Sequence, residues 1–168
     1  MTAVARAAKR HWGYPETWLA AWRNELTVDP DFIADEPVFV ALGSQNEIVG
    51  FYALRDVSAG CELEHFWVLP EAMGRGIGRA LFEHAVAQAR GAGCQVLHID
   101  ADPHAAGFYE RMGAEPAGTV SAPMDGHPRV RPQYKLRLSA DGHRATHGLR
   151  HPPADADDRD GSTDRRGR

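Results

Sequence analysis

A glycine-rich hexapeptide, Gly74-Arg75-Gly76-Ile77-Gly78-Arg79, is the segment whose residue types and spacing point most clearly to chemistry. An apolar, strand-like stretch precedes it and an amphipathic helical pattern follows it at once. Its glycines let the backbone bend tightly and let a ligand approach the amides closely. The first N–H groups of the helix lack intrahelical partners, and the helix dipole adds partial positive charge there. The segment therefore predicts an anion site, best suited to a phosphate or pyrophosphate.

Other interpretations of the glycine segment compete with a ligand site. Short glycine-rich turns also join strands to helices without binding anything. A Walker-type phosphate loop is excluded, because no Gly-Lys-Ser/Thr follows the glycines. A dinucleotide fingerprint fits badly, because the spacing is GxGxG rather than GxGxxG and the turn lies in the middle of the chain. The glycines by themselves leave an anion site and a turn without ligand as the two alternatives.

The elements that must position this segment follow from periodicity. Apolar residues recur at spacings of three and four from Ile77 to Ala89, which predicts a helix that Gly91 and Gly93 end. Further helices are predicted over 2–12, from Pro15 onward and over 103–112, and strands over 38–42, 47–54, 62–69, 96–101 and 130–138. Residues 43–46 and 56–60 are predicted turns. The strand–helix–strand order around the glycines predicts a right-handed parallel crossover, so the fold class is α/β with a mixed sheet.

Composition limits the functional classes. With 168 residues, 43% of them hydrophobic and 25% charged, the chain is long enough for one globular domain with a core, predicted over residues 1–139. The net charge of −4 gives no electrostatic case for a nucleic acid or an anionic membrane partner. Residues 140–168 contain one large apolar residue, Leu149, and are predicted to be a disordered tail. No HxxxH or His/Cys/Asp cluster predicts a metal site.

The cysteines and the N-terminus indicate where the protein works. Cys61 and Cys94 lie far apart in the sequence and form no CxxC pair, so they are predicted to be reduced, buried thiols. Neither a signal-peptide pattern nor a run of membrane-spanning length is present. These features together predict a cytoplasmic protein.

The residues flanking the glycines narrow the function. The pattern Val68-x-Pro70-Glu71-x-x-Gly74-Arg75-Gly76-Ile77-Gly78-Arg79-x-Leu81, then Gly93, then Phe108-Tyr109-Glu110-Arg111-x-Gly113, resembles the GCN5-related N-acetyltransferase (GNAT) family. The resemblance runs from about Val38 to about Leu138. It implies the GNAT fold, with acetyl-CoA bound by the main chain of residues 73–79. Met73 stands where the family has Gln or Arg, which removes a polar side chain but leaves the amides.

The resemblance also implies one element that this sequence does not show. Family members usually begin with a strand before the first helix, whereas helical pattern starts almost directly after Met1. Either the fold lacks that edge strand or the chain starts downstream of the usual first residue. A missing edge strand would expose the hydrogen-bonding groups of its neighbour.

Acetyl transfer to an amine needs a base, a donor for the oxyanion and a proton for the leaving thiolate. The resemblance implies Tyr109 as the acid near the CoA sulfur, Glu64 or Glu62 as the base, and the N–H of Val68 or Leu69 as the oxyanion donor. Strand alternation predicts one face with Glu62, Glu64, Phe66 and Val68, and the opposite face with Leu63, His65 and Trp67.

Asp102 stands where many family members carry an Asn that contacts the CoA arm, so it is a candidate contact by resemblance. The loop between the first two helices is implied to border the acceptor pocket, with Trp12 and Tyr14 in it. The cofactor-binding candidates are Trp67, Val68, Leu69, Met73, Gly74, Arg75, Gly76, Ile77, Gly78, Arg79, Asp102 and Tyr109.

The sequence as a whole therefore predicts an N-acetyltransferase that uses acetyl-CoA and a primary amine in a ternary complex, because no nucleophile sits beside a base. The acceptor is a small metabolite, an antibiotic-like amine, or a protein lysine or N-terminus. One alternative is a CoA-binding sensor domain without turnover. Another is an acetyltransferase acting on aminoacyl-tRNA, which the net charge disfavours. Family members are often dimers, so the resemblance allows a homodimer.

Overall fold

The computed structural model describes residues 1–57 and 60–138, and the predicted tail over 140–168 lies outside them. Two short 3-10 turns, Pro70–Ala72 and Pro103–Ala105, join the regular elements. The helices are α1 (Thr2–His11), α2 (Glu16–Ala21), α3 (Pro30–Asp35), α4 (Ile77–Gly91) and α5 (Ala106–Arg111). The strands are β1 (Val38–Leu42), β2 (Ile48–Val57), β3 (Gly60–Val68), β4 (Val96–Asp100), β5 (Glu115–Ser121) and β6 (Val130–Arg137).

The strands form one mixed sheet in the order β1-β2-β3-β4-β6-β5. The β3–β4 pair is parallel and joined through α4, which confirms the predicted crossover, and the other pairs are antiparallel. The predicted turn over 56–60 is partly wrong, because Asp56, Val57 and Gly60 belong to the two long strands. Along the described residues no strand precedes α1, so β1 is an edge strand.

Two apolar clusters lie on opposite faces of the sheet. The larger one packs α4 and α5 against the sheet, around Phe82, Leu97 and Tyr109. The smaller one packs α1 and α2 over Phe51. Each buried aromatic side chain contributes roughly 1.5–3 kcal/mol by leaving water. Because helices cover both faces of the sheet, a ligand can reach the sheet only at the ends of its strands.

Strand β3 contains a bulge that overturns the predicted alternation. Ala53 pairs with His65 and Leu54 with Leu63, so Glu64 is an extra residue without a direct partner. The bulge places Leu63 and Phe66 in the same α4-side cluster, whereas Trp67 packs in the α1-side cluster. The prediction that Glu62 and Glu64 share a face with Phe66 and Val68 is therefore wrong.

The two cysteines are also a correction. Cys61 and Cys94 form a disulfide, with their Cα atoms 5.9 Å apart. Crossover topology brings them together, because Cys61 lies near the start of β3 and Cys94 just before the parallel strand β4. Asp56 lies beside them, and these three are the one potential metal cluster found among the described residues. The prediction of a cytoplasmic protein rested in part on free thiols, and the disulfide removes that argument.

No helix in the described part of the chain is long and apolar enough to cross a membrane.

Candidate active site

The parallel strands β3 and β4 separate beyond their first residues. They pair only at Cys61–Leu97 and Glu62–His98, although β3 continues to Val68 and β4 to Asp100. Past these pairs the facing backbone groups of the two strands are not joined to each other. A gap therefore opens at the carboxyl ends of two parallel strands, which is where ligands bind in α/β sheets.

The β2–β3 register decides which amides face this gap. Leu69 donates its N–H to the Val49 carbonyl at 2.8 Å, so these two residues form a hydrogen-bonded pair. Because antiparallel pairs alternate, the Gly50–Val68 and Tyr52–Phe66 pairs are not hydrogen-bonded, and their N–H groups point away from the partner strand. The amide of Val68 thus faces β4, whereas the amide of Leu69 is occupied and cannot donate to an oxyanion.

The glycine segment lies directly after β3 and forms the N-terminus of α4. Gly74 and Gly76 adopt positive φ angles of 73° and 84°, a region that strongly favours glycine. Gly76 caps the helix, and its carbonyl accepts the first intrahelical bond from Ala80 at 3.0 Å. The amides of Ile77, Gly78 and Arg79 consequently have no intrahelical acceptor. This geometry can hold a pyrophosphate group without a contribution from Met73, which packs against the core.

A groove between α4 and α5 continues from this helix end. Three arginines and Glu83, which pairs with one of them at 2.8 Å, line it over an apolar floor that includes Phe82 and Phe108. The arginines are Arg79, Arg90 and Arg111. A ligand that carries both phosphate and apolar parts, as CoA does, matches such a surface.

Tyr109 lies deep on the α4 side of the gap. Its side chain is 5% exposed and packs against the rings of Phe66, Phe82 and Phe108. Burial, and then the negative charge of Asp102, raise the pKa of its hydroxyl well above the ordinary value, so it keeps its proton. Within the described residues, no protein group hydrogen-bonds this hydroxyl. The Tyr109 hydroxyl is therefore a proton donor that makes no hydrogen bond to the described part of the protein.

The two candidate bases have different surroundings. Glu64 pairs with Arg55, at 3.2 Å from carboxylate to guanidinium. Glu62 makes no ion pair within residues 1–57 and 60–138, and it lies on the sheet face opposite α4, because Cys61 and Leu63 on either side of it pack toward α4. Burial raises the pKa of Glu62, with the charges of Glu64 and Asp100 adding to the shift. A carboxyl with a raised pKa is the better base near neutral pH.

His65 is the third titratable group on β3, and its geometry disfavours it as a base. Trp67 donates its indole N–H to His65 Nδ1 at 3.3 Å. Burial lowers the pKa of His65, and the charge of Arg55 adds to this, so the ring is neutral. The neutral ring then carries its proton on Nε2 and has no free acceptor.

The Asp102 side chain contacts protein groups rather than an open surface. It accepts hydrogen bonds from the Lys9 ammonium, from the Tyr14 hydroxyl at 2.9 Å and from the His104 N–H at 3.0 Å. Arg129 lies 3.5 Å away. Burial by itself would raise the pKa of this carboxyl, but the charge and hydrogen bond of Lys9, together with the hydrogen bonds from His104 and Tyr14, hold it below its usual range. Sequence reasoning missed Lys9 and Arg129, since neither belongs to a local motif.

Aromatic side chains surround this charged cluster on the α1 side. Tyr14 lies edge-on to Trp22 and stacks with Trp18. Trp12 stacks on the His104 ring, with the planes 4° apart. Trp22 is buried, whereas Trp12 and Tyr14 stay partly exposed in the helix break. The break therefore presents an aromatic surface next to the end of β4.

Comparison with known proteins gives the family. Residues 3–114 match the model of the acetyltransferase (GNAT) family. The chain is 35% identical over 99 residues to a peptidyl-lysine N-acetyltransferase from Salmonella typhimurium, covering 58% of this chain and 64% of that protein. It is 37% identical over 98 residues to a streptothricin acetyltransferase from Streptomyces lavendulae, covering 55% of this chain and 52% of that protein. The matches thus span about half to two thirds of the length of these relatives.

Solved structures share the fold. A GCN5-related N-acetyltransferase from Rhodopseudomonas palustris superposes with a TM-score of 0.67 at 20% identity, over 82% of this chain and 87% of that one. A GNAT family acetyltransferase from Elizabethkingia anophelis, with acetyl-CoA bound, gives a TM-score of 0.54 at 17% identity, over 64% of this chain and 80% of that one. The match of the family model over residues 3–114 decides the assignment: the chain belongs to the acetyltransferase (GNAT) family.

Proposed function

We propose that this protein transfers the acetyl group of acetyl-CoA to a primary amine by direct attack in a ternary complex. The observation that carries the proposal is the gap between β3 and β4, because a free strand amide, a protonated tyrosine and the glycine segment all border it. When bound, acetyl-CoA supplies an activated acetyl thioester. Family membership and a structural neighbour with acetyl-CoA bound support this choice of co-substrate.

The residues of the chain then divide the work. The amides of residues 77–79 hold the pyrophosphate, and the arginine-lined groove takes the rest of the CoA nucleotide. The Val68 N–H donates to the carbonyl oxygen as negative charge develops on it. A bond forms between the amine nitrogen and the carbonyl carbon, and the bond from that carbon to sulfur breaks. Glu62 takes the amine proton directly or through water, and Tyr109 gives its proton to the leaving sulfur.

Glu62 is favoured over Glu64 for a physical reason. The carboxylate of Glu64 forms an ion pair with Arg55, whereas Glu62 is a partly buried carboxylate that forms no ion pair with the described residues. Leu69 and Asp102 leave the set of direct contacts, since the protein already satisfies their donor and acceptor groups.

The proposal is tested by calorimetric titration with acetyl-CoA, followed by CoA thiol release against a panel of primary amines. The panel includes a lysine peptide and streptothricin, because two relatives are named for these acceptors. Both cysteines of the chain are bonded to each other, so the protein adds no thiol background. Binding with release on any amine supports the proposal. Binding without release supports a sensor, and absence of binding overturns the proposal.

A further inference from the structure

The Asp102 carboxylate joins three segments that lie far apart in the sequence. Lys9 belongs to α1, Tyr14 to the break between α1 and α2, and Arg129 to the loop before β6. Asp102 itself lies two residues after the end of β4, the strand that forms one side of the gap. The Asp102 carboxylate, which is 11% exposed, thus connects the gap to the α1–α2 break and to the loop before β6.

Within residues 1–57 and 60–138, Asp102 is the one carboxylate that pairs with the two cations of the cluster. The Lys9 ammonium and the Arg129 guanidinium lie 4.4 Å and 4.9 Å from the ring centroid of Trp22, and each side chain is 9% exposed. The Nε of Arg129 is buried and has no partner within the described residues. Burial lowers the pKa of the Lys9 ammonium, and the charge and hydrogen bond of Asp102 oppose that effect. Without the carboxylate, Lys9 and Arg129 would be buried with no counter-charge among the described residues, which is strongly unfavourable. The contacts that join these two side chains to the end of β4 therefore pass through Asp102.

We propose that Asp102 is a positioning residue for the amine acceptor: it holds the α1–α2 break and the loop before β6 in place at the gap, and does not contact CoA itself. The inference rests on the proposed function. It gives this carboxylate a different task from the CoA-arm contact that the family resemblance implies.

The charge of Asp102 also acts on Tyr109, the proposed acid. The charge of Asp102 is close enough to contribute to the high pKa of Tyr109. Asp102 therefore affects both the two loops proposed to border the acceptor and the Tyr109 hydroxyl that is proposed to protonate the leaving sulfur. This dual position predicts that losing the charge changes acceptor kinetics as well as the alkaline behaviour of the reaction.

The test compares Asp102→Asn with a matched control, Asp100→Asn. Asp100 lies two residues earlier on β4 and also pairs with an arginine, Arg131 at 3.1 Å, but it contacts neither α1 nor the helix break. Asp102→Asn is expected to raise the acceptor KM about tenfold or more, since small misplacements of a substrate are costly. The KM for acetyl-CoA should stay the same. The control removes a charge that raises the pKa of Glu62, so its pH profile should shift towards acid, but neither of its KM values should change by more than about twofold.

A second variant and a second readout separate a positioning role from a general loss of structure. Tyr14→Phe removes one hydrogen bond to the carboxylate and should raise the acceptor KM in the same direction. The double variant with Asp102→Asn should be no worse than Asp102→Asn alone, because both act through one contact. Hydrogen exchange of full-length protein should accelerate over 11–15 and 122–129 in Asp102→Asn, and not in the control.

The outcomes are distinguishable. A rise in the acetyl-CoA KM with an unchanged acceptor KM would assign Asp102 to CoA and overturn the inference. Equal losses in Asp102→Asn and Asp100→Asn, in kinetics and in exchange, would also overturn it. If the unaltered protein turns over no amine, the proposed function fails, and the exchange experiment still decides whether Asp102 holds the two loops.

Discussion

The guanidinium of Arg55 lies 3.2 Å from the carboxylate of Glu64, and the same Arg55 side chain contacts Glu36 at 3.3 Å and covers the ring of Phe32. Arg55 thereby fixes the bulged residue of β3 to the neighbouring strand and to α3. Its proposed effect on catalysis is indirect, because Arg55 pairs with Glu64 and its charge only partly offsets the rise in the pKa of Glu62.

Glu62→Gln should lower kcat/KM about 100-fold near neutral pH, since an amide cannot accept the amine proton. Because burial and neighbouring carboxylates raise the pKa of Glu62, the acidic limb of the wild-type profile should lie above the ordinary range of a glutamate. That limb should vanish in the variant. Initial rates of thiol release between pH 5 and 9, at saturating acetyl-CoA, measure both effects.

Glu64→Gln is the matched control on the same strand. It removes an exposed ion pair, which is worth about 1 kcal/mol or less, and should leave kcat within about threefold of the wild type. If Glu64→Gln lost the acidic limb and Glu62→Gln retained it, the two glutamates would exchange roles and the argument from the ion pair would be wrong.

Tyr109→Phe should lower kcat about 100-fold and leave the KM for acetyl-CoA nearly unchanged, because the ring still fills its site while the acid is lost. The pKa of Tyr109 is raised, so its hydroxyl stays protonated as the pH rises past the ordinary tyrosine value of 10. The wild-type kcat should accordingly show no alkaline decline from this group below that pH. Steady-state kinetics from pH 7 to 10 check the prediction.

Tyr134→Phe provides the control for Tyr109, because the two rings lie 6.1 Å apart and Tyr134 is also buried. Its hydroxyl donates to Glu110 at 2.8 Å, so this variant should lose about 1 kcal/mol of stability without losing kcat. Equal kcat losses in both variants would mean that packing rather than proton donation is measured.

Gly76→Ala should weaken acetyl-CoA binding about tenfold, because alanine is strained by about 1–2 kcal/mol at the positive φ that opens the α4 amides. Gly93→Ala is matched, since Gly93 has the same φ of 84° and equally open space at the other end of α4. Both variants should lose similar thermal stability, but only Gly76→Ala should change the Kd in calorimetry. Unchanged binding in Gly76→Ala would remove the glycine segment from the CoA site.

Breaking the Cys61–Cys94 bond should destabilise the fold. The cysteines are 33 residues apart, and closing a loop of that length is worth about 3–4 kcal/mol. A reducing agent should therefore lower the Tm by about 10 °C, measured by circular dichroism. The double variant Cys61→Ala/Cys94→Ala should not respond to the reductant. Two titratable thiols in unreduced, unfolded protein would show that the bond does not form.

Local patterns in the sequence were sufficient for much of this architecture. The spacing of apolar residues predicted α4, and strand β1 has the predicted bounds. The glycines located the turn that leads into the N-terminus of α4. Helix α3 was missed, although Asp29 and Pro30 form a recognisable start in which the Asp29 side chain accepts the Phe32 N–H at 2.7 Å. Six residues are too few for a periodic signal.

Longer-range relationships could not be predicted from local patterns. The Lys9–Asp102 pair spans 93 positions, and its residues become neighbours only when α1 packs across the end of β4. The bonded cysteines depend in the same way on the crossover that brings β3 beside β4. The exposure and pKa of Glu62 likewise come from three strands, so no motif around it carries that information.

The bulge at Glu64 has a consequence for changes in chain length. Glu64 is the residue that β3 has in excess over β2, because Ala53 and Leu54 are consecutive whereas their partners His65 and Leu63 are not. Deleting Glu64 would therefore leave a regular strand in which Leu63 and Phe66 stay on the α4 side. Deleting a residue closer to the glycine turn would instead turn one part of β3 to the opposite face, because side chains alternate along a strand. A loss of one residue is thus absorbed locally at the bulge, whereas the same loss beyond it shifts the strand that leads into α4.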